Sequence, residues 1–402
     1  MLKELSVACA AAPVVLGSYA YAGYPALLAL IARGKRRERY AATLEWPSVT
    51  VVVPVYNEER VIADTLRRLL EIDYPRHRLQ ILVVSDASTD GTDDIVRSYA
   101  EHGVELLRSP IRRGKTAGEN AAGRVARGDI VVNIDATIRV PRHALRALVR
   151  AFADPDIGVA SGRDVTIGSA AEKVNRGEGK YTDYEMRIRS LETAVHSIVG
   201  ASGCFFAQRR ELARLPFPEH LSRDFGSALV ARRHGYRSVA VQDAVCFVPC
   251  ASSLVTERRR KVRTMTRGIG TLWHMRSLLN PGRYGAFSWM LFSHKLCRWV
   301  VPLTVPVSIA GLATLSFLPG NDWTGTAARV SLGAMSVVAG LGWIGWRLST
   351  RGSVPRWLAI PAFFGASIVA GLQAWMQWLR GRQNPTWDPT PRADNASPVS
   401  AC

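Results

Sequence analysis

Apolar runs near the length that crosses a lipid bilayer stand at both ends of this 402-residue chain. A helix needs roughly 20 apolar residues to span the hydrocarbon core of a membrane. Runs that approach or exceed this length cover residues 5–33, 300–318, 328–346 and 357–379. A cleaved signal peptide carries positive charge before its apolar core, whereas here the basic stretch 33–39 follows the core. The sequence therefore predicts an uncleaved transmembrane helix within residues 1–34 and about three more within residues 299–380.

Basic residues between these runs indicate which side of the membrane each connection faces. The basic stretch 33–39 places the end of the first helix, and the domain after it, in the cytosol. The connection 319–325 is poor in basic residues and is expected outside, whereas the basic connection 347–356 is expected in the cytosol. Arginines near both ends of the last run leave its orientation open. We expect a multi-pass protein of the cell membrane.

Two C-terminal segments have a different character. Residues 284–298 mix aromatic side chains with His294, Lys295 and Arg298, which suits a helix lying at the membrane interface. Residues 381–402 are rich in proline and polar residues and predict an irregular tail.

The net charge of +19 favours an anionic partner, which is a nucleic acid, an anionic lipid or a phosphorylated ligand. The chain has no recognisable nucleic-acid-binding module, so we expect no nucleic-acid partner and assign the basic excess to a cytosolic membrane face. No two cysteines have the CxxC spacing, which argues against a zinc site and against a disulfide framework. The six cysteines are Cys9, Cys204, Cys246, Cys250, Cys297 and Cys402.

Short apolar runs alternate with helix-like stretches from about residue 46 to residue 249, within a cytosolic domain expected over residues 46–275. The apolar runs SVTVVVPV, LQILVVS, VELLR, DIVVNI and IGVASG predict strands of a mostly parallel sheet with helices on both faces, an α/β fold. Ligands of such sheets bind beyond the carboxyl ends of the strands. Asp86 and Asp135 directly follow two of these runs. Both carboxylates are therefore candidate ligand-binding groups.

The stretches after the strands also have simpler interpretations. Asn57 is a suitable N-cap for a helix, with Glu58 in its first turn, and Asp90 can cap the next helix. Capping does not account for Asp86. Lys115 begins a predicted helix, next to amide groups that favour anions, although a solvated basic turn is the alternative. The spacing of a phosphate-binding P-loop is absent.

In series, the motifs PVYNEE, SDASTDGT, RRGKTAGEN and IDATIRVP resemble those of family 2 glycosyltransferases, which have the GT-A fold. The resemblance covers roughly residues 48–270, and membrane members of the family include cellulose, hyaluronan and poly-N-acetylglucosamine synthases. It implies that a nucleotide-sugar donor binds to Pro54, Tyr56, Glu58, Asp86, Lys115, Asp135, Arg260 and Arg263. It also implies that Asp135 begins a DxD element and binds a divalent metal, Mg²⁺ or Mn²⁺, on the diphosphate. Thr137 stands where the second acid of that element is expected.

The resemblance implies further roles on the acceptor side. Gly203 and Cys204 lie in a segment that resembles the family's acceptor-binding segment, with a plain strand and turn as the alternative. Asp224 corresponds to the general base of an inverting transfer, which must deprotonate the acceptor hydroxyl. Arg223 replaces the acid that precedes this base in the family. Thr264 stands where processive synthases have a tryptophan, which argues against processive chain extension.

Three functions follow as hypotheses. The first is a membrane-anchored inverting glycosyltransferase that acts on a lipid-linked or polysaccharide acceptor in exopolysaccharide or cell-envelope glycan synthesis, alone or with export or synthase partner subunits. The second is a single-transfer enzyme for a lipid such as polyprenyl phosphate or ceramide. The third is a non-catalytic membrane scaffold with a decayed transferase domain, suggested by Thr137 and Arg223.

Overall fold

A computed structural model describes residues 1–35, 45–167, 176–249, 254–318, 323–349 and 355–386. The chain divides into two compact units. The helical unit comprises Met1–Glu38, Ile188–Val199 and Arg258–Gln383, and the sheet unit comprises Arg39–Arg187, Gly200–Glu257 and Asn384–Cys402. Residues 188–199 and 258–383 group with the helical unit. The domain expected over 46–275 stays a prediction.

The described residues of the sheet unit form seven strands in the order β3-β2-β1-β4-β6-β5-β7. The strands are β1 Val49–Val55, β2 Leu79–Ser85, β3 Val104–Arg108, β4 Ile130–Ile134, β5 Ile157–Ile167, β6 Phe205–Arg209 and β7 Arg237–Pro249. Only β6 runs antiparallel to its neighbours, β4 and β5. The mostly parallel sheet and the five strands expected from apolar runs are thus confirmed.

Thirteen α-helices lie in the described part of the chain. They are α1 Leu2–Ala32, α2 Ile62–Leu70, α3 Thr92–Ser98, α4 Lys115–Val125, α5 Ala144–Val149, α6 Arg176–Val195, α7 Arg210–Arg214, α8 Arg223–Arg233, α9 Leu254–His274, α10 Pro281–Tyr284, α11 Ala286–Phe317, α12 Trp323–Ser349 and α13 Arg356–Leu379. Two of them contain a π-helical turn, at Tyr19–Gly23 in α1 and at Phe292–Cys297 in α11.

Helices cover both faces of the sheet because its central strands are mostly apolar and every residue of β1 and β4 is buried. Every residue of β1 is buried, as expected for a parallel strand packed on two sides. Val51 and Val53 share one core cluster with Ile62 of α2. Val52, which points the other way, packs with Ala122 of α4. Helices α2 and α4 thus pack on opposite faces of this strand.

The helical unit contains four described helices that are long and apolar enough to cross a membrane: α1, α11, α12 and most of α13. Helices α1 and α11 are joined by a hydrogen bond from the Ser308 hydroxyl to the carbonyl of Ala10, at 2.8 Å. Helix α11 continues through the segment 284–298 from residue 286, so the expected interface helix and the next apolar run form one unbroken helix. Its placement at a membrane interface stays a prediction. The connections expected at 319–325 and 347–356, the basic stretch 33–39 and most of the tail fall partly or wholly outside the described residues.

A buried polar cluster ties the helical unit together. The Glu192 carboxylate accepts a hydrogen bond from the Tyr24 hydroxyl and contacts the Nδ1 atom of His294, both at 2.6 Å. All three side chains are almost completely buried. Buried polar groups are stabilising only when their hydrogen bonds are made, and here each group is paired. We interpret this cluster as structural.

Candidate active site

Two aspartates lie at the carboxyl-end edge of the sheet. Asp86 directly follows β2 and Asp135 directly follows β4. Strand β1 lies between β2 and β4 and is parallel to both. Because the ends of parallel strands meet at one edge of the sheet, the two carboxylates belong to the same rim, where ligands of α/β folds bind.

Asp86 organises the loop that precedes α4. One carboxylate oxygen accepts the backbone N–H of Arg113 at 2.7 Å, and the other accepts that of Gly114 at 2.8 Å. Asp86 is buried. Gly114 has a φ of +97°, a conformation that side-chain-bearing residues rarely adopt. The carboxylate thus fixes the loop whose next residue is Lys115.

Replacing Asp86 with alanine is expected to lower the free energy of unfolding of the purified protein by about 3 kcal/mol, because two hydrogen bonds to a charged group are lost. Denaturant unfolding in detergent measures this change. Asp94→Ala is the matched control, since that carboxylate is exposed and, among the residues that the structure describes, pairs only with Arg97 on α3. Exposed ion pairs contribute about 1 kcal/mol at most. Equal losses in the two variants would contradict the role of Asp86.

The loops after β1 and β2 are joined side by side. The Asn57 side-chain carbonyl accepts the backbone N–H of Thr89 at 2.8 Å, and the N–H of Asn57 donates to Ser88 at 3.2 Å. Asn57 has a positive φ of 52°. Helix α2 begins only at Ile62 and has no side-chain cap. The expectation that Asn57 caps a helix is therefore wrong: its side chain instead connects two loops of the rim.

Lys115 is the first residue of α4 and lies at the centre of the site. Its ammonium donates to Asp135 Oδ1 at 2.5 Å and to the carbonyl of Gly203 at 2.8 Å. Glu119, one turn later on α4, lies 4.0 Å away. Burial opposes the charge of Lys115, but Asp135, Glu119 and Asp224 outweigh burial and hold its pKa above the usual value. Lys115 therefore stays a cation among three carboxyl groups.

Asp224 lies next to the Gly203 turn. Its Oδ1 atom accepts the Ser222 hydroxyl at 2.5 Å, and a Cβ added at Gly203 would lie only 2.9 Å from its Oδ2 atom. The side chain belongs to the first turn of α8 and is half-buried. Glycine at 203 thus lets the carboxylate approach the backbone that holds Lys115.

These contacts connect the expected site residues of the sheet unit. Asp86 holds the amides that precede Lys115, Lys115 binds Asp135 and the Gly203 carbonyl, and Gly203 abuts Asp224. Carboxylates from three separate segments therefore surround one lysine at the rim of the sheet.

Residues 50–215 match the model of the family described as Glycosyl transferase family 2. These residues form a family 2 glycosyltransferase domain. The whole site except Asp224 and Ser222 falls within the matched range, and those two follow it by fewer than ten residues.

Known proteins resemble this chain over different lengths. A beta-monoglucosyldiacylglycerol synthase of Synechocystis sp. is 33% identical over 145 residues, which are 35% of this chain and 30% of that protein. An N-acetylglucosaminyltransferase of Rhizobium sp. (strain N33) is 31% identical over 295 residues, 68% of this chain and 64% of that protein. In neither relative does the match reach two thirds of its length.

A solved structure shares the fold of the glycosyltransferase domain and its flanking helices. It is the mannosyltransferase PcManGT from Pyrobaculum calidifontis in complex with GDP-Man and Mn2+, 23% identical to this chain. The TM-score is 0.72, with 95% of this chain and 100% of that chain covered. The likeness confirms the GT-A fold expected from the sequence.

The remaining expected donor residues occupy different places. Pro54 is buried in β1, and Glu58 donates its backbone N–H to the Thr92 hydroxyl at 2.8 Å. The Tyr56 ring lies 3.7 Å beneath the Arg112 guanidinium. Arg260 and Arg263 lie on α9 in the helical unit, not in the sheet unit that holds the glycosyltransferase domain. Their donor role stays a prediction.

Arg223 does not face the rim of the glycosyltransferase domain. Its guanidinium is buried, donates to the carbonyls of Ala213 at 2.7 Å and Leu215 at 3.3 Å, and also binds the Asn120 side chain. The charge of Arg223 acts on Glu119, whose carboxyl has its pKa raised by burial. These contacts hold the start of α8 against the neighbouring segments. The presence of arginine in place of the expected acid leaves Asp224 in the first turn of the helix.

Two carboxyl groups of this domain were not predicted from the sequence. Glu119 on α4 is buried beside Lys115. Asp164 on β5 accepts the Ser202 hydroxyl at 2.6 Å, directly before Gly203. Glu119 was detectable, because it stands four residues after Lys115 on the same helix face. Asp164 was not, because its partner lies 38 residues away in the chain.

The residues around Asp135 fit a divalent metal held jointly with a diphosphate. The described residues contain no group of three His, Cys, Asp or Glu side chains suited to a metal. Asp135 Oδ1 is bound to Lys115, whereas no described group donates to Oδ2. Magnesium is commonly bound through one or two carboxylates together with substrate phosphates and water. The open oxygen of Asp135 supplies the one carboxylate that such a site needs. Thr137 stands where a second carboxylate was expected and supplies none.

Proposed function

We propose that this protein is a membrane-anchored inverting glycosyltransferase that moves a sugar from a nucleotide-diphosphate-sugar to a hydroxyl acceptor at the cytosolic membrane face. The observation that carries the proposal is the chain of contacts from Asp86 through Lys115 and Asp135 to Gly203 and Asp224. One rim of the sheet then carries groups that can bind the nucleotide, neutralise the diphosphate and accept the proton of the attacking hydroxyl. The family match supports the same reaction class.

The nucleotide is assigned to the flank of the rim formed by the loops after β1 and β2. Each Asp86 oxygen accepts one N–H and retains a second lone pair, which a base or ribose group can use. Tyr56 offers an aromatic face beside Arg112. Asp86 would therefore bind the nucleotide and also shape the loop beneath it.

The diphosphate is assigned to Lys115 and Asp135. The Lys115 ammonium would pair with phosphate oxygens whose charge grows as the glycosidic bond breaks. Asp135 would hold a divalent metal, which supplies a second positive charge for the leaving diphosphate. The complex of PcManGT with GDP-Man and Mn2+ supports both the donor class and the metal for this fold.

Asp224 is assigned as the general base. An inverting displacement needs one carboxylate to take the proton of the attacking hydroxyl. The Ser222 hydroxyl fixes Oδ1 and leaves Oδ2 directed at the Gly203 turn. Gly203 and Cys204 would then form the backbone wall along which the acceptor approaches.

The acceptor is assigned to lipid-linked or cell-envelope glycans, since four membrane-length helices belong to the same chain. A single transfer to a lipid is the second candidate. It is favoured by exposed Thr264 on α9, where processive synthases carry a tryptophan. The relative named beta-monoglucosyldiacylglycerol synthase supports the same direction. Product length distinguishes the two.

A donor screen tests the proposal. Purified protein in lipid nanodiscs is titrated by calorimetry with UDP-, GDP- and dTDP-sugars, with Mg²⁺ or Mn²⁺ and with EDTA. We expect one donor class to bind with a Kd of about 1 μM to 1 mM, the range of typical KM values, and to release nucleoside diphosphate on turnover. Asp135→Ala should weaken binding in the presence of metal more than in EDTA.

The outcomes separate the hypotheses. Binding with turnover supports the transferase, and binding without turnover in any acceptor-containing membrane supports the scaffold. Failure of every donor to bind would reject the proposed function. Equal affinity of the Asp135→Ala variant with metal and with EDTA would reject the metal assignment and leave the donor assignment standing.

A further inference from the structure

Asp164 is a carboxylate of the rim to which the proposed reaction assigns no role. It lies on β5, the sheet partner of β6, and faces Cys246 of β7 in the strand register. Asn133 of β4 and Ser161 of β5 pair with the same residue, Phe206 of β6. Asp135 lies two residues beyond Asn133 and Asp164 lies three residues beyond Ser161, with a register shift between Ser161 and Arg163. The two aspartates therefore differ in height by about one residue, roughly 3 Å, and stand two strands apart, or about 10 Å by the spacing of strands in a sheet.

The order of the strands indicates which part of a substrate this position meets. Asp86 at the end of β2 and Asp135 at the end of β4 occupy one side of the rim. Strands β6 and β5 continue the sheet in the opposite direction from β2. A donor with its nucleotide at Asp86 and its diphosphate at Asp135 would extend its sugar toward β6 and β5. Asp164 lies about one sugar ring beyond the diphosphate position.

The surroundings of Asp164 leave one oxygen open. Its Oδ1 atom accepts the Ser202 hydroxyl at 2.6 Å and the Cys246 thiol at 3.3 Å. Burial raises the pKa of Cys246, reinforced by Asp164, so the sulfur keeps its proton and donates. No described group donates a hydrogen bond to Oδ2, and this oxygen is not fully buried. Two donors thus hold one oxygen and present the other at a half-buried surface.

We propose that Asp164 Oδ2 accepts a hydrogen bond from a sugar hydroxyl during transfer and so takes part in choosing the sugar. The inference rests on the proposed function. A carboxylate held in this way suits a neutral polyhydroxylated ring, because it accepts and does not donate. The ring belongs either to the donor sugar or to an acceptor sugar, and kinetics distinguish the two.

Asp164→Asn tests the proposal with little change in shape. The amide oxygen can keep both donors, Ser202 and Cys246, which turns the amide nitrogen toward the position of Oδ2. The variant thus replaces a hydrogen-bond acceptor by a donor where the sugar is expected. Asp156→Asn is the matched control, because it removes the same charge from an exposed residue at the other end of β5.

The measurements use the donor selected by the screen, its nucleoside diphosphate alone, and octyl glucoside as a soluble acceptor carrying sugar hydroxyls. We expect affinity for the nucleoside diphosphate to be unchanged in Asp164→Asn. A hydrogen bond to a charged group corresponds to a loss of roughly 10- to 100-fold. If Asp164 binds the donor sugar, Asp164→Asn should lose affinity for the nucleotide sugar. If Asp164 binds the acceptor sugar, the variant should lose kcat/KM for octyl glucoside.

Two results would overturn the proposal. One is an Asp164→Asn variant whose donor affinity and acceptor kcat/KM both stay within twofold of the unmodified protein. The other is a Ser202→Ala variant that reproduces the whole loss, since Asp164 would then act only through the Ser202 hydroxyl and the turn that it supports. If the nucleoside diphosphate fails to bind the unmodified protein, the proposed function is rejected, and the role of Asp164 is rejected with it.

Discussion

Replacing Asp224 with asparagine is expected to lower kcat for sugar transfer roughly 10²- to 10⁴-fold, the usual contribution of a general base. The asparagine oxygen can still accept the Ser222 hydroxyl, so the helix start should keep its geometry. The amide cannot take a proton at neutral pH. Donor affinity should change little, because Lys115 and Asp135 remain. Nucleoside diphosphate release and calorimetric donor binding measure the two effects separately.

Asp243→Asn is a suitable control for this experiment. Asp243 is an exposed aspartate on β7 of the same unit, so its replacement removes one negative charge from outside the contacts that connect Lys115, Gly203 and Asp224. We expect its kcat to match that of the unmodified protein. A kcat in Asp224→Asn within tenfold of the unmodified value, with normal donor binding, would show that another group accepts the proton. Asp164 and Glu119 would then be the carboxyl groups to examine.

The strands and the two rim aspartates were predictable because the signals are local. A run such as LQILVVS specifies a buried parallel strand, and a charged residue straight after it must leave the core at the end of that strand. Asp86 and Asp135 were located in this way. The family resemblance added Asp224 and Gly203, and the structure brings both to the same rim.

Other features of the site depend on contacts between distant segments. Asn57 has the residue type of an N-cap, yet its partner is Thr89 of the neighbouring loop, 32 residues away. Arg223 is a surface residue by composition, yet burial beside Glu119 makes it part of the core. Sequence spacing cannot reveal such pairs, because they depend on the order of the strands and not on position along the chain.

The division of the chain into units was also hidden in the sequence. Helix α6 runs without interruption through residue 188 to Val195, yet residues 188–199 group with the helical unit. The reason is visible in the structure, where Glu192 binds Tyr24 and His294 of the apolar helices. A single buried acid within a helix is too weak a signal to predict that assignment.

Replacing Lys115 with methionine is expected to lower kcat by roughly 10²- to 10³-fold, comparable to removing one preorganised donor from a site of developing negative charge. Donor affinity should fall as well. Without the ammonium, the carboxyl groups of Asp135, Glu119 and Asp224 lose the cation that all three share. An incoming diphosphate would then meet uncompensated negative charge. Donor titration and nucleoside diphosphate release measure both losses.

Arg124→Met provides the matched control, because Arg124 is an exposed cation in the last turn of the same helix α4. It removes one positive charge at a distance from the rim, so any effect of net charge alone would appear in both variants. Raising the concentration of Mg²⁺ should restore part of the affinity lost in Lys115→Met if lysine and metal neutralise the same diphosphate. Full activity of Lys115→Met would contradict this assignment, because the contacts of Lys115 with Asp135 and Gly203 would then only support the fold.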